Sequence, residues 1–165
     1  MTGVSGSKQV RGAVEGDAYA VPLPGGGYAT VVVARVAPKS GVTLGYFFGP
    51  RAPTVPDVGS LEGLRPHMAT LTSKFGDLGI VQGTWPRIGR VPDWDRRQWP
   101  MPLFKRREPI GGRLWRVEYD ADNPNSTPRE SPIGEAEAAA LPEDGLHGDV
   151  AVVRVLDLRM ENVAR

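Results

Sequence analysis

The sequence contains no cysteine and only two histidines, His67 and His147, among its 165 residues. The absence of cysteine excludes disulfides, thiolate metal sites and cysteine nucleophiles. Two histidines are too few for a multi-histidine metal site, and neither lies in a recognisable catalytic motif. We therefore predict no enzymatic activity, no catalytic residues and no bound cofactor or metal.

Long apolar runs are also absent from the chain. The longest one spans residues 29–34 and ends at Arg35, which is far short of the roughly 20 apolar residues of a membrane-spanning helix. Residues 1–12 are polar and rich in glycine and serine, without the apolar centre of a secretory signal. We expect these residues to form a flexible tail of a cytoplasmic protein that does not contact a membrane.

Glycine (21 residues) and proline (16 residues) are abundant, whereas apolar residues (40%) and charged residues (24%) occur at levels ordinary for a globular protein. So many glycines and prolines interrupt long helices, because both residues are poor helix formers. The length suits one domain, which we place at residues 13–165. A turn-rich domain dominated by strands is the expected result.

Local patterns predict where the strands and helices lie. Residues 17–23 and 28–36 flank a glycine-rich turn and indicate a β-hairpin. Further strands are predicted at residues 42–48, 67–75 and 113–119, with Gly49-Pro50 as a strand stop. A short helix is the alternative for residues 67–75. Residues 120–132 are predicted to form a mobile loop.

Helix signals are confined to the carboxy-terminal part of the chain. Ser131 and Pro132 resemble an N-cap and a first helical residue for a helix over residues 134–141. Residues 150–158 fit either a strand or a helix. The predicted fold class is α+β, with a twisted antiparallel sheet or partly open barrel and one or two short carboxy-terminal helices.

Charge is distributed unevenly, although the whole chain carries only +1. Residues 87–107 carry a net charge of +5 and residues 108–165 a net charge of −6. The basic segment also holds tryptophans, among them Trp94 and Trp99 beside Arg96 and Arg97. This mixture is typical of a core surrounded by solvated arginines, of a protein interface, or of a module that binds single-stranded nucleic acid.

Three phrases of the sequence resemble the Immunity protein 26 family, whose members accompany bacterial polymorphic toxins. They are GDAYAVPL at residues 16–23, GTWPRIG at residues 83–89 with WPMPLF at 99–104, and LHGDVAV at 146–152. The resemblance implies a non-catalytic protein that binds and neutralises a cognate toxin. It also implies structural roles for five motif residues, namely Asp17, Tyr19, Pro22, Trp85 and Gly89.

A protein toxin as partner gives the acidic carboxy-terminal region a possible role. Toxins that attack nucleic acids carry basic grooves, which an acidic surface would attract and cover. The candidate residues on or beside the predicted helix are Glu135, Glu137, Glu143 and Asp144, and reversing all four is expected to remove protection without unfolding the protein. The competing surface is formed by Trp94, Arg96, Arg97 and Trp99. The alternative function is a nucleic-acid-binding module that uses residues 85–107.

Overall fold

The computed structural model describes residues 12–160, so that all but Gly12 of the predicted tail lies outside the described residues. The strands are β1 (Asp17–Pro22), β2 (Tyr28–Val36), β3 (Val42–Ala52), β4 (Leu71–Gly76), β5 (Arg87–Arg90), β6 (Phe104–Arg107), β7 (Leu114–Glu118), β8 (Arg129–Pro132) and β9 (Leu146–His147). The helices are α1 (Leu78–Val81), α2 (Glu135–Ala139) and α3 (Asp149–Met160). Short 3₁₀ helices lie at Val58–Leu61, Pro66–Met68 and Arg96–Gln98.

The strands form two sheets. The larger sheet has the order β5-β1-β2-β3-β4-β9 and is antiparallel except for the short β4–β9 pair. The smaller sheet has the order β6-β7-β8 and is antiparallel throughout. The predicted α+β class with a mainly antiparallel sheet is confirmed, and neither sheet closes into a barrel within residues 12–160.

Both faces of the larger sheet are covered. One face packs against α1, α3 and Trp85, through buried side chains that include Val31, Val33, Phe47, Phe75, Val152 and Leu156. The other face packs against the smaller sheet, through buried side chains that include Val32, Ala34, Leu44, Trp99, Phe104 and Val117. A strand buried on both faces needs apolar residues at consecutive positions, which explains the continuous apolar run of residues 29–34.

Two strand predictions and one loop prediction have the wrong bounds. β3 continues past the predicted stop, through the cis Gly49–Pro50 peptide bond, because its end still pairs with the start of β2 at Tyr28 and Ala52. The ladder shifts register in this region, which accommodates a residue that cannot donate a hydrogen bond. The strand predicted over residues 67–75 begins only at Leu71, after the 3₁₀ helix. The mobile loop predicted for residues 120–132 contains β8 at its end.

The predicted start of the carboxy-terminal helix is also wrong. Ser131 and Pro132 belong to β8, where they pair with Arg116 and Trp115 of β7. The helix α2 begins later, at Glu135, with Gly134 as its cap. Ser-Pro is compatible both with the start of a helix and with the end of an edge strand. Pairing with β7 favours the strand.

Residues 150–158, which fit two patterns, lie in the helix α3. Its buried residues are Val152, Val153, Leu156 and Met160, which recur at helical spacing along one face. Asp157, near the carboxy-terminal end of this helix, connects it to the β1–β2 turn. Its carboxylate accepts hydrogen bonds from the Gly25 amide (3.1 Å) and from Arg51 (2.7 Å).

Gly79 of α1 lies so close to Trp85 that no side chain fits between them. A Cβ added to Gly79 would lie 2.6 Å from the Trp85 indole nitrogen. We expect Gly79→Ala to lower the free energy of unfolding by about 1–3 kcal/mol, because overpacking must displace the indole from Phe75, on which it stacks. Urea unfolding measures the change. Gly76→Ala is the matched control, since a Cβ there has no atom within 4 Å, and equal stability of the two variants would contradict the expectation.

Candidate functional site

A cleft of about 390 Å³ lies between β6 and α2 and brings three of the four acidic candidates together. Glu135 lies on the α2 side, and Glu143 and Asp144 lie on the chain that follows the helix. The apolar part of the lining includes Leu114 and Ala138, which are both buried. Basic residues of β6 complete the lining, namely Lys105, Arg106 and Arg107.

The segment Pro142–Asp144 is attached to the outer edge of β6 by two backbone hydrogen bonds. The Lys105 amide donates to the Pro142 carbonyl at 2.9 Å, and the Asp144 amide donates to the Lys105 carbonyl at 2.7 Å. This places Lys105 and Glu143 opposite each other as a parallel bridge. The two residues therefore lie side by side at the cleft.

Most charges around the cleft are paired with a neighbour of opposite sign. Glu135 pairs with Arg107 at 3.0 Å and Glu137 with Arg116 at 3.1 Å. Arg106 pairs with Glu130 at 2.8 Å, and its hydrogen bond lowers the pKa of that carboxyl. The basic and acidic segments of the sequence therefore fold against each other and alternate in sign on the surface.

Glu143 and Lys105 are different from their neighbours. Glu143 is exposed and Lys105 is half-buried, and neither forms an ion pair with another described residue. A partner can neutralise such groups without first breaking an internal ion pair. The cleft thus offers one acidic and one basic group to a partner.

Behind the cleft, the buried residues Lys74 and Tyr119 form a polar cluster with the half-buried Asp144. The Lys74 amino group donates to the Tyr119 hydroxyl at 2.5 Å, and that hydroxyl donates to Asp144 Oδ1 at 2.7 Å. Lys74 Nζ also lies 3.3 Å from the same carboxylate oxygen. Burial, followed by the hydrogen bond to Asp144, raises the pKa of Tyr119. The hydroxyl therefore stays protonated at neutral pH and can donate.

The second group of candidates lies on another part of the molecule. Trp99 is only 2% exposed and makes edge contacts with Tyr46 and Phe48. Trp94 is half-buried and stacks on Trp99, with 5.8 Å between the ring centroids. This placement agrees with the core interpretation of the aromatic residues, because a ring as buried as Trp99 offers no face to a nucleotide base.

The two arginines of this group are occupied by carboxylates. Arg96 pairs with Glu15 at 2.6 Å and with Asp122 at 2.7 Å. Arg97 pairs with Asp95 at 3.1 Å. A phosphate would have to compete with these carboxylates, so the structure gives no support to the nucleic-acid interpretation.

Three of the five motif residues meet at a groove of about 380 Å³ beside β1. Asp17, Tyr19 and Trp85 are almost fully buried there. Arg87 donates from Nε to the Asp17 carboxylate at 2.9 Å, and Arg90 lies 3.6 Å from it. These contacts connect the edge strand β5 to β1.

The other two motif residues lie in the strand pairs next to this groove. Pro22 ends β1 opposite Tyr28, at the base of the hairpin turn. Gly89 of β5 lies opposite Ala18 of β1, and a Cβ added to Gly89 would lie 2.7 Å from the Val58 side chain. Pro22 therefore lies where β1 pairs with β2, and Gly89 lies where the 3₁₀ helix Val58–Leu61 approaches β5 closely.

Sequence reasoning did not single out Lys74 or Tyr119, and it considered Lys105 only as one of the cations of the basic segment 87–107. The only signal in the sequence was a lysine within the predicted strand 67–75, since a lysine buried in a sheet needs a polar partner. Its partners lie 45 and 70 residues away in sequence, and no local pattern connects them.

Neither a membrane-spanning helix nor a cluster of metal ligands is found among residues 12–160. None of the helices there is both long and apolar enough to span a membrane. Within the same residues, no three His, Cys, Asp or Glu side chains are grouped so that they could hold a metal ion.

A family model described as Immunity protein 26 matches residues 14–116, which is more than half of the chain. No curated protein and no solved structure matches the chain. The matched residues include the groove lined by Asp17, Tyr19 and Trp85 and the β6 side of the cleft. The α2 side of the cleft lies beyond the matched residues.

Proposed function

The chain belongs to the Immunity protein 26 family, and on that premise we propose that it binds a protein toxin and neutralises it without catalysing a reaction. The toxin belongs to a bacterial polymorphic toxin system, and neutralisation takes place in the cytoplasm. The family match is the observation that carries this proposal. The binding surface has to be argued from the geometry of the chain.

We propose the cleft between β6 and α2 as the toxin-binding surface. Its support is the combination of a small apolar part of the lining, formed by residues such as Leu114 and Ala138, with two charged groups, Glu143 and Lys105, that form no ion pair among the described residues. A toxin surface that places a cation against Glu143 and a carboxylate against Lys105 would be complementary to it. The basic groove of a toxin that attacks nucleic acids provides such cations.

The group Trp94, Arg96, Arg97 and Trp99 is the weaker choice for a toxin-binding surface. Trp99 is in the core, and both arginines already bind carboxylates. A toxin that docked there would have to displace these partners, which lowers the net gain of each new contact. The cleft requires no such exchange at Glu143.

Co-expression with the toxin tests the function. The probe is the product of the open reading frame beside this gene, expressed in bacteria with and without this chain. We expect that product to stop growth alone, this chain to restore growth, and the two purified proteins to form a complex in size-exclusion chromatography. If neither flanking reading frame encodes a product that is toxic and binds this chain, the proposal is wrong.

Reversing the charge of Glu143 tests the surface. We expect Glu143→Lys to weaken toxin binding roughly fivefold to tenfold, mainly through a slower association rate, because attraction at the rim becomes repulsion. Surface plasmon resonance at two salt concentrations measures both rates. Glu62→Lys makes the same charge change at an exposed site elsewhere and should bind like the natural sequence.

Reversing the charge of Glu143 alone tests the docking surface more specifically than reversing all four candidates, Glu135, Glu137, Glu143 and Asp144. Three of these residues are ion-paired within the fold. Reversing all of them breaks those pairs and puts a second cation at position 144 beside the buried Lys74, so lost protection would not distinguish docking from folding. If Glu143→Lys and Glu62→Lys bind alike, the cleft is not the docking surface, although the toxin-binding function can still hold.

A further inference from the structure

We infer that Lys74 and Tyr119 are positioning residues, which hold the segment Pro142–Asp144 against β6 and thereby fix Glu143 at the rim of the cleft. This inference rests on the proposed function for its consequence in toxin binding. Its structural part concerns the free protein and can be tested without a toxin.

The first support is the way in which the segment is attached. Asp144 is held twice, by its amide on the Lys105 carbonyl at 2.7 Å and by its carboxylate on the Tyr119 hydroxyl at 2.7 Å. Glu143 precedes this residue and has an exposed side chain. Two anchors on one residue restrict the backbone next to it, so that Glu143 occupies a defined position.

The second support is the burial of Lys74 and Tyr119. Lys74 is 7% exposed and Tyr119 is 8% exposed. A carboxylate drawn into such surroundings is stable only when hydrogen bonds and an opposite charge compensate for its lost hydration. Tyr119 supplies the hydrogen bond to Asp144 and Lys74 supplies the charge, at 3.3 Å from the same oxygen.

The third support is where the three residues come from. Lys74 belongs to β4 of the larger sheet, and Tyr119 directly follows β7 of the smaller sheet. Asp144 belongs to neither sheet. The cluster therefore attaches the segment Pro142–Asp144, which forms one side of the cleft, to both sheets where they pack together. We expect the rim at Glu143 to move with the core.

Replacing two buried tyrosines by phenylalanine provides a matched test in the full chain. Tyr119→Phe removes the hydroxyl that connects Lys74 to Asp144. Tyr46→Phe likewise removes the hydroxyl of a buried tyrosine, but that hydroxyl lies away from the cleft and makes one hydrogen bond, to the Pro100 carbonyl at 2.5 Å. Amide hydrogen exchange by NMR is read at Lys105 and Asp144, the two amides that join the segment to β6.

We expect Tyr119→Phe to speed exchange at the Asp144 and Lys105 amides by roughly tenfold, while Tyr46→Phe leaves both unchanged. The amide of Val117, within β7, serves as an internal reference for global opening. Should Tyr119→Phe fold poorly, Asp144→Asn provides a second variant, which keeps the side-chain shape and removes the charge that Lys74 compensates. Unchanged exchange at both amides in the folded variant would overturn the inference.

Toxin binding supplies the second readout, with the toxin identified by co-expression as the probe. We expect Tyr119→Phe to weaken binding several-fold and Tyr46→Phe to leave it unchanged. Faster exchange with unchanged affinity would overturn the positioning role in docking. If the natural sequence itself binds no toxin, the proposed function fails, and the exchange result still decides whether Lys74 and Tyr119 hold the segment.

Discussion

Replacing Trp99 with alanine is expected to lower the free energy of unfolding by about 3–5 kcal/mol, the typical cost of removing a buried large aromatic side chain. Trp99 fills the space between the two sheets. Its ring centroid lies 5.4 Å from that of Tyr46 and 5.9 Å from that of Phe48, both in edge-to-face geometry. Alanine leaves a cavity that two well-packed sheets cannot collapse to fill.

Urea unfolding followed by circular dichroism measures this loss. Trp94→Ala is the matched control, because Trp94 stacks on the same ring but is only half-buried, and we expect it to cost clearly less. The comparison separates a core role from a binding role. A Trp99→Ala variant that retained its stability but lost toxin affinity would contradict the core placement.

The parts of the fold that sequence predicted well are those determined by neighbouring residues. The strand predicted over residues 28–36 has the bounds of β2, and the turn before it occupies the predicted glycine-rich segment. β-branched residues favour an extended backbone, and Gly26 and Gly27 both adopt positive φ. These preferences act within a few residues, so the sequence alone reveals them.

The parts that sequence predicted wrongly are determined by distant partners. Ser131 and Pro132 have the local features of a helix start, yet β7 recruits them into a strand. Pro50 has the local features of a strand stop, yet β3 continues beyond it because β2 still offers a partner. In both places the gain from strand pairing exceeds a weak local preference.

The candidate site shows the same division. An excess of basic residues in one segment and of acidic residues in the next is visible in the sequence. The sequence does not reveal which arginine pairs with which carboxylate, because Arg106 and Glu130 are 24 residues apart and Arg107 and Glu135 are 28 residues apart. Sequence therefore located the charged segments, whereas pairing reduced the groups available to a partner.

Arg35 of β2 carries the second large expected effect. It is 4% exposed, forms no ion pair with a described carboxylate, and donates instead to backbone carbonyls. Its Nε donates to the Ala121 carbonyl at 2.8 Å, and its Nη2 donates to the Arg96 carbonyl at 3.4 Å. Its Nη1 donates to the carbonyls of Ala34 at 2.5 Å and Trp99 at 3.1 Å. Burial lowers the pKa of this guanidinium. One side chain thus connects β2 to two loops.

Replacing Arg35 with methionine is expected to lower the free energy of unfolding by about 3 kcal/mol or more, because buried carbonyls lose their donor at about 1–3 kcal/mol each. Methionine keeps much of the apolar stem, so the loss reports on the hydrogen bonds. The stability of Arg35→Lys should lie between that of the natural sequence and that of Arg35→Met, since an ammonium group cannot reproduce the planar fork that reaches separate carbonyls. Urea unfolding measures both variants. If Arg35→Met is as stable as the natural sequence, the loops around Trp99 and Ala121 are held by packing alone.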